Sequence, residues 1–147
     1  MTVVTTIMFT DIVDSSRIAS EMGDATWRDL LDAHHQAVRR ELDIHRGVEV
    51  KTTGDGTHAN FDGLARGIRC SQDICRSVEK LGLVVRVGVH TGECVRRGDE
   101  IEGLAVHIAA RPAGLAESNQ ILVSQTVRDR VAGSGIRFGE LSARPGN

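Results

Sequence analysis

Hydrophobic and polar positions change period several times along this chain, and each change predicts an element. Residues 2–10 are rich in β-branched side chains and read as a buried strand. Further on, Trp27, Leu30, Leu31, His34, Val38 and Leu42 recur at spacings of three and four. That stripe predicts a long amphipathic helix, capped by Asp24 and ended at Gly47. Val48 to Thr53 then alternates apolar and polar as a half-buried strand, Gly54-Asp55-Gly56 supplies a turn, and 57–61 is the returning strand. A second amphipathic helix is predicted over 63–81, with Leu64, Ile68, Cys75 and Val78 on its face and Gly82 as its stop. Strand 83–91 completes the order β-α-β-β-α-β, an α+β class with a ferredoxin-like core. Beyond it the pattern predicts a helix at 103–117, a strand at 120–124 and a short helix, and admits a strand at 136–140.

This topology has a chemical consequence. The third strand lies antiparallel beside the first, so its start neighbours the end of the first. Asp11, in Phe9-Thr10-Asp11-Ile12, is thereby predicted to lie near Asp55, in Lys51-Thr52-Thr53-Gly54-Asp55-Gly56. Two carboxylates on converging strand ends suit a hard divalent cation of the kind that manages phosphates. Taken singly, each segment has a plainer reading. Asp14-Ser15-Ser16 can cap a helix, and Asp55-Gly56 can simply turn a hairpin.

Composition removes several function classes. The 147 residues predict one domain, 1–147, able to bury about two thirds of its unfolded surface. Net charge is −2, Tyr is absent and aromatics are 3 %, so the basic, ring-bearing surface that binds nucleic-acid polymers is missing. No apolar run has the length to span a membrane, and no basic segment precedes the first strand as in a signal peptide. Three cysteines do not make a disulfide framework; Cys70 and Cys75 fall in a helical pattern and read as buried thiols. The expectation is a soluble cytoplasmic domain.

One further segment carries candidate chemistry: Gly103-Leu104-Ala105-Val106-His107-Ile108-Ala109-Ala110-Arg111. On a helix His107 and Arg111 stand at i and i+4 and share a face. There they can grip a sugar and a phosphate, or can simply be exposed polar positions on an Ala-rich helix. With Phe-Thr-Asp-Ile, Lys-x-x-Gly-Asp-Gly and Val87-Gly88-Val89-His90-Thr91-Gly92-Glu93, this segment forms a set in fixed order and spacing. By that set the chain resembles the class III nucleotidyl (adenylyl/guanylyl) cyclase catalytic domain from about Val3 to Phe138, and looks most like small actinobacterial members.

The resemblance implies an enzyme that closes ATP to 3′,5′-cyclic AMP with release of pyrophosphate. It implies two metal ions, Mg²⁺ or Mn²⁺, on Asp11 and Asp55 with the Ile12 carbonyl assisting. Lys51 and Glu100 fall at the base-reading positions, His107 where many members carry the Asn that orients the ribose, and Arg111 at the Arg that stabilises the pentavalent phosphate. The family works as a head-to-tail homodimer, with the aspartates from one chain and the other four side chains from its partner. Lys51 goes with ATP in the family, although guanine can be met by the same pair after a small shift, so GTP stays open. Glu100 replaces the usual Asp.

Two departures accompany the resemblance. Pro112 follows Arg111 in the predicted helix, where proline removes a hydrogen bond at a cost of about 3 kcal/mol in a regular helix. No lysine follows Lys80, whereas most members continue past the equivalent of Phe138 into a hairpin with a phosphate-binding Lys. A shortened C-terminal hairpin and a weak enzyme are expected. The competing expectation is a cyclase-homology domain that binds nucleotide or dimerises without turnover.

Overall fold

The computed structural model describes residues 2–97, 100–102 and 121–123. Nine elements follow one another in the described residues: β1 (Thr2–Ile12), α1 (Ser15–Met22), α2 (Asp24–Ile44), β2 (Val48–Thr53), β3 (Gly56–Phe61), α3 (Leu64–Glu79), β4 (Val85–Arg97), β5 (Glu100–Glu102) and β6 (Ile121–Val123). The sheet runs β2-β3-β1-β4-β5, and β6 pairs with β4 in parallel. Neighbours among β2, β3, β1 and β4 are all antiparallel, the ferredoxin-like arrangement that the pattern predicts. The expected strand at 120–124 is β6. The expected helices after residue 102 and the strand at 136–140 lie outside the described residues.

One face of the sheet carries the core. Met8 and Ile12 of β1, Ala59 and Phe61 of β3, and Val85, Val87 and Val89 of β4 pack with Val38 and Leu42 of α2 and Ile68, Cys70, Ile74 and Val78 of α3. These strand positions share one phase of the period-two alternation. Trp27, Leu30, Leu31, Leu64 and Cys75 pack against the margin of the cluster, so both helical stripes face where their periodicity puts them. Burial lifts the Cys70 thiol to about 12 and Cys75 to about 11, so both stay protonated.

Helix ends depart from the sequence reading in two places. Asp24 is the first residue of α2 rather than its cap; Gly23, at φ 87°, holds that position. At the other end the left-handed residue is Arg46 at φ 58°, and Gly47 N–H bonds the Leu42 carbonyl at 2.7 Å, a Schellman closure. Gly47 is needed for room, because a Cβ there would lie 2.6 Å from Phe61. β2 keeps its alternation but is a sheet edge, with Val48 63 % exposed.

Candidate active site

The opposite phase of the same strands presents polar residues in rows. Register puts Thr53, Gly56, Asp11 and Arg86 in one row, and Lys51, His58, Phe9 and Gly88 in the next. Asn60, Ile7 and His90 form a third. Because Asp11 pairs with Gly56, Asp55 sits in the turn directly beside it. The juxtaposition expected from topology is present. The charge of Asp55 is felt at Asp11: burial lifts the Asp11 carboxyl above its ordinary range, Arg86 pulls it down, and Asp55 lifts it further.

Asp11 Oδ1 is shielded from solvent and accepts no hydrogen bond. It stands 3.4 Å from Arg86 Nε, an ion-pair distance without hydrogen-bond alignment. A carboxylate oxygen in that state, next to a second carboxylate, has the donor chemistry of a Mg²⁺ or Mn²⁺ ligand. The residues present therefore fit the expected metal pair. Ile12 buries its side chain in the core, so only its main chain is available to a site.

Three neighbours fix Asp55. Ser15 Oγ donates to Asp55 Oδ2 at 2.7 Å, and His35 Nε2–H donates to the Gly54 carbonyl at 2.8 Å, tying α1 and α2 to the β2–β3 turn. Gly56 lets β3 come close to β1, since a Cβ there would lie 2.7 Å from the Thr10 carbonyl oxygen. Behind the turn, His34 is fully buried with neither ring nitrogen hydrogen-bonded. Burial drives its pKa down to about 4, the neighbouring His35 adds to that, and Asp55 opposes it. Asp14, expected as a helix cap in the plainer reading, makes no side-chain capping bond and instead pairs with Arg17 at 3.5 Å. No side-chain cap therefore closes the first turn of α1, where the Asp14 carbonyl accepts from Ile18 N–H at 3.0 Å. A cleft of about 240 Å³ opens there, lined by Ser15, Ser16, Ala19, Trp27, Leu31, Gly54 and Asp55.

Lys51 is exposed on the edge strand, paired in register with His58, which stacks on Phe9 at 4.4 Å between ring centroids. Burial lowers the His58 pKa; Asn60 opposes that shift and Lys51 adds to it. Glu100 begins β5. His107, Arg111 and Pro112 lie outside the described residues. Ser15, His35, His34 and Arg86 were not expected as site residues; the sequence places His34 only on the helical stripe and Ser15 only beside a helix cap. Arg86 had a visible signal, as the one charge within Val84-Val85-Arg86-Val87.

The fold and the sequence have known relatives. The family profile described as the adenylate and guanylate cyclase catalytic domain matches residues 2–68. An adenylate cyclase of Lachancea kluyveri is 31 % identical over 149 residues, covering 80 % of this chain and 8 % of that protein. The solved adenylate/guanylate cyclase/hydrolase of Silicibacter pomeroyi superposes with a TM-score of 0.85 at 24 % identity, over 96 % of this chain and 87 % of that one. The guanylate cyclase domain of RhGC from Catenaria anguillulae, solved with GTP, superposes at 0.81 and 16 % identity over 90 % and 84 %. The chain spans less than a quarter of the length of the first curated relatives it matches. Over residues 2–68 the chain carries the adenylate and guanylate cyclase catalytic domain profile, and its strand order and fold are those of the solved class III cyclase domains.

Proposed function

We propose that this chain is an adenylyl cyclase catalytic domain that converts ATP to 3′,5′-cyclic AMP and pyrophosphate. The observation that carries the reading is the meeting of Asp11 and Asp55 at adjacent strand ends, with Asp11 Oδ1 unbonded. Asp11, Asp55 and the Ile12 carbonyl would hold two divalent ions, Mg²⁺ or Mn²⁺. Bound there, such ions would acidify the ribose 3′-hydroxyl and neutralise triphosphate charge.

The chain's own groups supply position and charge. The first-turn N–H groups of α1, beside the 240 Å³ cleft, suit phosphate oxygens. Ser15 and His35 hold the Asp55 turn against reorientation as substrate enters. From a second copy of the chain, Lys51 would donate to adenine N1 and Glu100 accept from the 6-amine. His107 would orient the ribose, and Arg111 would stabilise charge on the α-phosphate as it develops. No protein nucleophile is required. The site is then complete only in a homodimer.

We further take residues 1–147 as one catalytic domain acting in the cytoplasm, and expect slow turnover because Pro112 follows Arg111. Among the described residues no helix is long and apolar enough to cross a membrane. GTP is the second reading for the substrate, favoured by the GTP complex of the Catenaria relative. The test is to incubate the pure chain with ATP or GTP and Mn²⁺ and resolve products by mass. Cyclic AMP is the expected product; cyclic GMP alone would reassign the base, and neither would reject cyclase activity.

A further inference from the structure

On the helical layer, away from the sheet row that carries Asp11, three potential metal ligands converge. Glu41 stands in the last turn of α2 and His45 caps its C-terminus four residues on, with His45 N–H bonded to the Glu41 carbonyl at 3.0 Å, and Asp73 meets them from α3. Their ligand atoms all lie within 4.8 Å of one another, and His45 Nε2 is 2.7 Å from Asp73 Oδ2. A tetrahedral ion with bonds of about 2.1 Å sets its ligands about 3.4 Å apart, so small rotamer shifts would close the trio on an ion.

We propose that Glu41, His45 and Asp73 form a second metal site, for a borderline divalent ion such as Zn²⁺ or Co²⁺, that clamps α2 to α3. The imidazole gives the preference. Mg²⁺ takes oxygen ligands, whereas a nitrogen beside two carboxylates suits Zn²⁺ and its neighbours in the first row. The ion would replace the hydrogen bond between His45 and Asp73.

Two other observations fit. Arg76 engages Asp73 Oδ1, leaving Oδ2 turned to His45, as an outer partner orients a ligating carboxylate. His45 also lines a cavity of about 470 Å³ with Arg46, Arg66 and Arg69, so its ring is reached from solvent.

The proposal is independent of the cyclase reading, and its test avoids activity. Zn²⁺ and Co²⁺ are titrated into the wild-type chain and into the Asp11→Asn/Asp55→Asn double variant, following heat by calorimetry, the Co²⁺ visible absorption and the melting temperature. One equivalent should bind to both forms, with a Co²⁺ band and a higher melting temperature. Glu41→Gln, which keeps shape and removes charge, should weaken that binding about tenfold or more, and His45→Gln should abolish the band. Should His45→Gln fail to fold, Glu41→Gln decides alone. Binding that disappears with Asp11 and Asp55, binding indifferent to Glu41 and His45, or no binding at all would overturn the site.

Discussion

Gly56 is where β3 leans on β1 beside both aspartates, so Gly56→Ala separates close approach from turn chemistry. The new Cβ would lie 2.7 Å from the Thr10 carbonyl oxygen and 3.1 Å from Thr53 Oγ1. The threonine side chain can rotate; the carbonyl cannot, because it belongs to the strand next to Asp11. Reaching an ordinary C···O contact of about 3.3 Å requires the two strand ends to part by about half an ångström. Overpacking of that kind costs about 1–3 kcal/mol. In a chain of this size the melting temperature should fall by roughly 3–10 °C. Because misplacing a reacting group by about 1 Å costs around a hundredfold, Mn²⁺-dependent cyclic-nucleotide formation should drop by about tenfold or more. Gly54 is the control. It has φ +37° and no neighbour within 4 Å of a Cβ, so Gly54→Ala meets only backbone strain of about 1–2 kcal/mol, and Gly54→Asn should be tolerated. Thermal melts and product assays on the three variants decide. Wild-type stability and turnover in Gly56→Ala would refute the close-approach argument.

Asp11→Asn and Asp55→Asn should each abolish turnover with the fold intact. The folded state raises the Asp11 pKa, by burial first and against Arg86, so wild-type stability declines as pH rises through the shifted range. Metal-free Asp11→Asn should therefore be at least as stable as wild type at pH 7, with the advantage vanishing in acid; a deficit at every pH would contradict this. His34 has the opposite sign. Its pKa falls to about 4, so the unfolded chain binds more protons between pH 6.5 and 4 and stability drops with acid, by about 3 kcal/mol in all. His34→Leu should flatten that slope in urea melts at pH 7 and pH 4.5, and an unchanged slope would point to other groups. Lys51→Glu with Glu100→Cys should shift the ATP/GTP product ratio about tenfold, since an unpaired buried polar group costs about 1–3 kcal/mol. An unaltered ratio would place base reading elsewhere.

The meeting of Asp11 and Asp55 was legible because strand order alone makes the start of β3 adjacent to the end of β1. The helix faces were legible because burial follows a 3.6-residue period, and His34 fell on its stripe as that period requires. What surrounds the aspartates was not. Arg86 faces Asp11 only through the β1–β4 register, which depends on where β4 begins. Ser15 and His35 reach the Asp55 turn from helices whose placement no local pattern encodes. Gly47 read as a helix stop, yet Arg46 takes the left-handed position and Gly47 makes room for Phe61, a contact between distant segments. Convergence of Glu41, His45 and Asp73 likewise arises only when α2 packs on α3.

The central claim is a two-metal cyclase whose sites are shared between two chains, and subunit complementation tests it most directly. Asp11→Ala damages both sites of its homodimer, and so does Lys51→Ala. In a mixed dimer both defects fall in one site and the other is intact. Random exchange makes half the dimers mixed, so about a quarter of wild-type cyclic-nucleotide formation should return when the two inactive variants are co-expressed or re-equilibrated. Activity at background, with exchange demonstrated, would contradict the shared site.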